Sequence, residues 1–276
     1  MVLHKTDPAL QELLHRVLPQ ARLHEMQAVT GLSGQSWRLE TSAGTLLARR
    51  TPTPAMPQVN RQREFRQLLR LRGSGLAQQP LAASRDWLLL RWQPGEVVAP
   101  EALASHLPQL LALLGCLHRQ PLCGYRLSLL PLLQRYWQQC QQRHPSWLRA
   151  LRHLQQQGEP KPLRLAFLHM DVHAGNLICQ QGKLSLIDWE YAGDGDIALE
   201  LATLCATLPQ HTAQLIADFA QRYRLSPDVL QQQIHRWQPW LRLLMASWYQ
   251  LRAEQTQSAA MRHLARQHWQ QLHSPF

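Results

Sequence analysis

A short polar segment, followed closely by a hairpin and a further aspartate, limits the folds open to this chain more than any other part of the sequence. The polar segment reads His-Met-Asp-Val-His-Ala-Gly-Asn over residues 169–176. Short apolar runs on both sides of a Gln181-Gly182 turn are typical of two strands joined by a glycine turn. Because the hairpin leaves from Asn176 and returns to Asp188, we expect two carboxylates and one amide at the same end of a small sheet.

These residue types fit phosphoryl transfer from a nucleoside triphosphate. That reaction needs a carboxylate to take the proton of the acceptor hydroxyl, and Mg²⁺ to spread charge over the phosphates. Asp171 suits the first role, and Asn176 and Asp188 offer the hard oxygen ligands that Mg²⁺ takes. A lone His-x-Asp is usually a turn or a cap, so the prediction depends on the whole spacing. We expect His169 to brace the loop through hydrogen bonds, and the sequence assigns no role to His173.

The spacing resembles that of a known enzyme family. His-x-Asp-x-x-x-x-Asn over residues 169–176 and Ile-Asp-Trp-Glu over residues 187–190 are similar to motifs of the aminoglycoside phosphotransferase and choline kinase family. That family has the protein-kinase-like fold. The similarity spans nearly the whole chain and includes residues 31–34, 129–133 and 136–139.

The resemblance implies an α+β, two-lobed fold. The N-terminal lobe would hold a small antiparallel β-sheet with a helix, and the larger C-terminal lobe would be mostly helical. A buried apolar run over residues 87–92 ends at Pro94-Gly95, which breaks a strand. We therefore expect a nucleotide-binding lobe at residues 1–93 and a catalytic, substrate-binding lobe at residues 94–276.

The resemblance also implies ATP and Mg²⁺ as cofactors, and it implies contacts to the nucleotide. The family covers the phosphates with a small-residue loop, here Gly31, Ser33, Gly34, Gln35 and Ser36, in which glycine lets the backbone come close. The family's phosphate-binding lysine is matched here by an arginine, which binds phosphate through a planar fork and is not interchangeable with lysine.

That arginine is Arg49. Glu64 occupies the position of the helix carboxylate that pairs with the strand cation in the family. A solvated surface glutamate is an equally good interpretation of the sequence at this position.

The acceptor is implied by overall similarity within the family, which favours thiamine, a small molecule with a permanent positive charge. Trp189, Glu190 and Asp194, in and after the second motif, are the predicted substrate contacts, because aromatic faces and carboxylates attract cations. Core packing remains the alternative for any single tryptophan. Choline or an amino sugar as acceptor, and a non-catalytic nucleotide-binding module, are the other readings.

Composition excludes several classes of function. No apolar run approaches the ~20 residues that span a bilayer, and the first residues lack the apolar core of a signal peptide. Five cysteines without a Cys-x-x-Cys pair indicate reduced thiols in a cytoplasmic protein. The net charge of +11 comes from arginines scattered over amphipathic helices, so we expect no nucleic-acid partner. The same charge would repel a polycationic aminoglycoside. The oligomeric state is open.

Periodicity predicts the remaining elements. Strands are expected at 25–29, 37–41, 45–50 and 87–92, and a polar helix at 60–71. Asp196 is expected to cap a helix that starts at Ile197. Other helices are predicted at 8–18, 101–119, 129–143, 146–156, 197–208, 211–223, 226–251 and 258–272.

Overall fold

The computed structural model describes residues 7–29 and 35–272. Its backbone groups into two compact units. The first unit comprises Met1–Cys123 and His169–Ala192, and the second comprises Gly124–Leu168 and Gly193–Phe276. The lobe boundary predicted between residues 93 and 94 stays a prediction.

The elements of the described residues are numbered here in chain order. The strands are β1 (Leu23–Val29), β2 (Ser36–Thr41), β3 (Gly44–Arg50), β4 (Pro80–Ala83), β5 (Trp87–Arg91), β6 (Glu96–Val97), β7 (Leu165–Leu168), β8 (Leu177–Gln180), β9 (Lys183–Leu186) and β10 (Gly193–Asp196). The helices are α1 (Pro8–Val17), α2 (Arg61–Arg70), α3 (Leu107–Leu117), α4 (Leu129–Gln139), α5 (Pro145–Gln157), α6 (Ile197–Thr207), α7 (Thr212–Tyr223), α8 (Pro227–Thr256) and α9 (Ala259–Gln271).

A five-stranded antiparallel sheet in the order β1-β2-β3-β5-β4 forms the N-terminal part of the first unit. Helix α1 begins where the sequence predicts, because Asp7 accepts a hydrogen bond from the Ala9 amide at 2.9 Å and proline follows the cap. The leucines of α1 pack with inward residues of the sheet, and Leu10, Leu39 and Leu46 are fully buried. This core fixes β3, the strand that carries Arg49.

A second sheet in the first unit has the order β6-β8-β9. The predicted hairpin is its centre: β8 and β9 pair in register from Leu177–Leu186 to Gln180–Lys183. The turn residue Gly182 has a φ of 76°, a conformation that glycine adopts without strain. The hairpin therefore closes as the sequence predicts.

The second unit is mostly helical, with β7 and β10 as a small antiparallel sheet. Gly193 in β10 has no room for a side chain, since an added Cβ would lie 2.7 Å from Leu127. Asp196 at the end of β10 caps α6 as predicted, accepting from the Ala198 amide at 3.3 Å. Buried tryptophans fill this core; Trp147, for example, lies edge-on to Trp137 with ring centroids 5.4 Å apart.

The α+β prediction is confirmed. Strands β4, β6, β7 and β10 were not predicted, and helix α8 extends five residues beyond its predicted end at residue 251. Among the described residues, no helix is both long and apolar enough to cross a bilayer.

Candidate active site

The β8–β9 hairpin brings the motif residues together within the first unit. The chain leaves Asn176 into β8 and returns from β9, where the Ile187 amide donates to the Asn176 carbonyl at 3.0 Å. Because this bond closes the hairpin, Asp188 follows directly beside Asn176. The two ligands predicted for Mg²⁺ are thus neighbours for a local reason that the sequence could reveal.

Asp171 is held by the side chain of Asn176. The Asn176 amide nitrogen donates to Oδ2 of Asp171 at 2.8 Å and to its backbone carbonyl at 2.9 Å. Asn176 is buried, whereas the Asp171 side chain keeps 34% of its surface exposed. The carboxylate is therefore fixed in direction and still accessible to a substrate.

His169 braces the loop, as predicted. Its Nδ1 accepts from the Asp171 amide at 3.3 Å, so Nε2 carries the proton and donates to the Ile187 carbonyl at 2.9 Å. The ring is fully buried and lies edge-on to Trp189, with centroids 4.6 Å apart. One histidine thereby ties the Asp171 segment to the segment that ends in Asp188.

Two residues of the site have a left-handed backbone. Met170 has a φ of 67° and Asp188 a φ of 65°. Residues other than glycine adopt this conformation at a cost and cluster at functional sites when they do. Met170 precedes Asp171, and Asp188 is itself a predicted metal ligand. The left-handed backbone at these two positions therefore sets the direction of the two predicted functional carboxylates.

His173 also contacts the Asp171 carboxylate. Its Nδ1 accepts from the Gly175 amide at 3.1 Å, and its Nε2 lies 3.7 Å from Oδ1 of Asp171. Hydrogen bonding to Asp171 raises the pKa of His173 above its usual value, although burial opposes that change. Asp171 is thus flanked by Asn176 on one oxygen and His173 on the other.

Arg49 lies at the centre of a buried ion cluster. It reaches Glu64, Oδ1 of Asp188 at 2.5 Å and Oε2 of Glu190 at 3.0 Å. Burial opposes its charge, but these three carboxylates outweigh burial and raise the pKa of Arg49. The pairing predicted for Glu64 is confirmed and the solvated alternative is wrong, since Glu64 is only 1% exposed.

The pKa values of Asp188 and Glu190, two of the three carboxylates in this cluster, shift in opposite directions. Burial alone would raise the pKa of Asp188, but Arg49 and Arg61 outweigh it and lower that pKa. Burial, with Asp188 nearby, raises the pKa of Glu190 to about 7. Oε1 of Glu190 is buried and has no hydrogen-bond partner among the residues that the structure describes. Asp188 therefore stays ionised at neutral pH, as a carboxylate ligand of a divalent cation must be.

Arg61 belongs to the same cluster, and sequence reasoning missed it. It contacts Glu64 at 2.7 Å and Glu190 at 2.9 Å and is 1% exposed. The only signal in the sequence is its place three residues before Glu64 on a predicted helix, a spacing that brings side chains together. Such pairs are common on helix surfaces, so the spacing alone does not predict burial.

The predicted substrate contacts lie in packed surroundings. Trp189 is 1% exposed and donates from its indole to the Leu186 carbonyl at 3.1 Å. Asp194 lies in strand β10, within the second unit, where its carboxylate accepts from the Gly124 amide at 2.7 Å. Glu190 is held by the two arginines. The role of Trp189, Glu190 and Asp194 toward an acceptor stays a prediction.

The predicted phosphate loop is only partly described. Gly31, Ser33 and Gly34 lie outside the described residues. Gln35 is exposed, and its carbonyl accepts from the Arg50 amide at 2.9 Å; Ser36 opens strand β2. The nucleotide contact of these residues also stays a prediction.

The donor set fits Mg²⁺. The side-chain nitrogen of Asn176 is committed to Asp171, so its side-chain oxygen is the atom that can bind a metal ion. Asp188 offers a carboxylate and follows Ile187, whose amide binds the Asn176 carbonyl. Mg²⁺ usually takes one or two protein ligands and completes its shell with phosphates and water. The part of the chain that the structure describes holds no group of three or more His, Cys, Asp and Glu side chains arranged for a metal.

Comparison with known proteins gives a consistent result. A model of the phosphotransferase enzyme family matches residues 25–240. The chain is 42% identical to thiamine kinase of Escherichia coli O139:H28 over 279 residues, covering 99% of this chain and 98% of that protein. It is 43% identical to thiamine kinase of Escherichia coli O157:H7, covering 95% and 94%.

Solved structures resemble it in fold. The structure of LicA in complex with AMP covers 98% of this chain and 99% of its own, with a TM-score of 0.77 at 16% identity. Choline kinase LicA from Streptococcus pneumoniae covers 97% and 98%, with a TM-score of 0.74 at 17% identity. The described architecture is thus the kinase-like fold that the sequence predicts.

Proposed function

This chain belongs to the phosphotransferase enzyme family, and from that premise we propose that it transfers the γ-phosphate of ATP to the primary hydroxyl of thiamine, giving thiamine phosphate. The acceptor follows from the relatives, which are thiamine kinases that match this chain over nearly its full length. The chemistry is supported by one observation: Asn176 holds Asp171 in a fixed, accessible orientation, and its own carbonyl binds the amide of Ile187, the residue before Asp188.

Asp171 is the proposed catalytic residue. Its exposed carboxylate would accept a hydrogen bond from the thiamine hydroxyl and align its oxygen with the γ-phosphorus. It would take the proton as the new P–O bond forms and the bond from the γ-phosphorus to ADP breaks, which releases ADP. Asn176 and His169 keep the carboxylate and its backbone in place, so little reorganisation is needed when substrates bind.

Asn176 and Asp188 would hold Mg²⁺, which supplies charge stabilisation at the phosphates when bound. Arg49 is the proposed cation beside the phosphates, and the loop of Gly31, Ser33, Gly34, Gln35 and Ser36 is proposed to cover them. The roles of Trp189, Glu190 and Asp194 toward thiamine remain part of the proposal.

A thiamine-dependent ADP-release assay tests the function. We expect turnover with thiamine, ATP and Mg²⁺, and none when thiamine or Mg²⁺ is omitted. Choline and an aminoglycoside, assayed in parallel, should give little ADP. Turnover with choline that exceeds turnover with thiamine would contradict the acceptor. Tight ATP binding without turnover on any of these alcohols would contradict catalysis and favour a nucleotide-binding module.

The Asp171→Asn variant tests the mechanism. The amide keeps the size of the side chain but does not take a proton, so kcat should fall by about 10²–10⁴-fold. An unchanged thermal midpoint would show that the loss is chemical. Retention of near-normal kcat would remove Asp171 from the proposed role.

A further inference from the structure

Arg61 is a fully buried arginine near the start of α2 whose donors are all directed at the active-site cluster or at β3. Its Nη1 contacts Oε2 of Glu64 at 2.7 Å and Oε2 of Glu190 at 2.9 Å. Its Nε and Nη2 donate to the Arg50 carbonyl at 3.2 and 2.9 Å. A buried guanidinium is costly unless such contacts are made, so this position is built for an arginine.

Two carboxylates bridge Arg61 to Arg49. Each oxygen of Glu64 is taken by a different arginine, and Oε2 of Glu190 accepts from both, at 2.9 Å from Arg61 and 3.0 Å from Arg49. Glu64 and Glu190 are each only 1% exposed. Arg61 therefore fixes the two carboxylates that in turn fix the guanidinium of Arg49.

The contact between Asp188 and Arg49 differs from the contacts that Glu64 and Glu190 make with this arginine. It contacts Nη2, the same nitrogen that contacts Glu190, and its side chain is 22% exposed. In the proposed function Asp188 is a ligand of Mg²⁺, and a carboxylate that shares its charge with a metal ion attracts an arginine less strongly. Arg49 then depends on Glu64 and Glu190 to stay in position.

The geometry points to Arg61 as a positioning residue for the nucleotide phosphates: by clamping Glu64 and Glu190, it keeps Arg49 in place when Asp188 is engaged by the Mg²⁺-bound nucleotide. This inference rests on the proposed function. It explains why the strand cation is an arginine, whose fork reaches Glu64 with one nitrogen and Glu190 with the other. A lysine at position 49 could not be held from both sides in this way.

If Arg61 had a purely structural role, its loss would have a different effect on ligand binding. Through the Arg50 carbonyl, Arg61 also joins α2 to β3, and loss of that link alone would lower stability without discriminating between ligands. The phosphate-positioning role requires that the loss be specific for a ligand with phosphates and Mg²⁺. Adenosine, which has no phosphate, is the matched ligand.

The test measures equilibrium binding of adenosine and of Mg²⁺ with a non-hydrolysable ATP analogue by calorimetry, independently of turnover. In Arg61→Met, we expect analogue binding to weaken about tenfold or more, with adenosine binding within about twofold of wild type. Arg66→Met is the matched control, because Arg66 is exposed on the same helix; it should leave both affinities unchanged. Equal affinities in Arg61→Met and wild type, or equal weakening of both ligands, would overturn the inference.

Arg61→Lys covers the case in which the methionine variant does not fold. A lysine keeps the charge but not the fork, so it cannot hold both carboxylates and the Arg50 carbonyl in the observed geometry. We expect analogue binding about threefold weaker, with adenosine unaffected. Wild-type analogue affinity in folded Arg61→Lys would overturn the requirement for the guanidinium. A wild-type protein that binds neither ligand would overturn the proposed function itself, and this inference with it.

Discussion

Asn176 donates from one amide nitrogen to both the side chain and the backbone of Asp171, over 2.8 and 2.9 Å. A single side chain thereby sets the direction of the proposed base and leaves its own oxygen for Mg²⁺. The two functions can be separated by substitution, because an aspartate at position 176 keeps an oxygen ligand but has no donor for Asp171.

Both Asn176→Ala and Asn176→Asp should lower kcat by about a hundredfold, since Asp171 loses its fixed orientation. The alanine variant should also need more Mg²⁺ for half-maximal activity, whereas the aspartate variant should not. Steady-state kinetics over a range of Mg²⁺ concentrations measures both quantities. An aspartate variant with wild-type kcat would show that the hydrogen bond to Asp171 does not matter.

The ion cluster predicts a large stability effect at Arg49. Removing one partner of a buried ion pair leaves uncompensated charge, so Arg49→Met should lower the free energy of unfolding by about 3–5 kcal/mol. Arg49→Lys should lower it less. Equilibrium urea unfolding of the metal-free protein measures the difference.

The neighbouring Arg50 provides a control for that experiment. Its side chain is 42% exposed and lies 3.5 Å from Asp7, so Arg50→Met should cost at most about 1 kcal/mol. If Arg49→Met and Arg50→Met had equal free energies of unfolding, the ion cluster would contribute far less to stability than its burial indicates.

The sequence predicted the parts of the site that depend on neighbouring residues. The hairpin needs only a turn glycine and two apolar runs, so the approach of Asn176 to Asp188 followed from spacing. Asp196 as the cap of α6 was equally local. Its other partners, Trp237 at 2.9 Å and Gln233 at 2.8 Å, come from helix α8 about 40 residues away and leave no trace in a local pattern.

The contacts that could not be predicted from the sequence join residues that are far apart along the chain. Arg61 and Glu190 lie 129 residues apart, and nothing in either segment specifies that they meet in a buried pair. Strands β7 and β10 are four residues each, too short for a period-two pattern to emerge. Trp189 was proposed as a ligand contact from its place after Asp188, but burial depends on what packs over it.

Thiol reactivity gives a test of the core of the second unit, which contains both Cys140 and Cys205. Burial, with Glu254 nearby, raises the pKa of Cys140 to about 12, and burial raises that of Cys205 to about 11. The reactive thiolate is therefore scarce at pH 8. While the pH is below these pKa values, the thiolate fraction grows about tenfold for each unit by which the pH rises. Cys116 is exposed.

With iodoacetamide at pH 8, native protein should be labelled at Cys116 first and at Cys140 and Cys205 only slowly. Mass spectrometry of timed samples measures the order, and urea-unfolded protein is the control in which the three sites should converge. Rapid labelling of native Cys140 would contradict its burial beneath the residues that surround it.

His173 offers the last and most selective test, because its two ring nitrogens have separate tasks. Nδ1 accepts from the Gly175 amide and shapes the turn, while Nε2 faces Oδ1 of Asp171 at 3.7 Å. Asparagine can replace the first contact, since its side-chain oxygen also accepts from an amide two residues on, but it is too short for the second. Alanine replaces neither.

If Nε2 orients the base, His173→Asn and His173→Ala should both lower kcat by about tenfold, with little change in the KM for ATP. The thermal midpoint should fall only in the alanine variant, because only that variant loses the turn. If the histidine matters for the turn alone, His173→Asn should keep the wild-type kcat and only His173→Ala should be impaired. Parallel kinetics and thermal unfolding of the two variants therefore decide whether His173 acts on Asp171 or only on the loop that carries it.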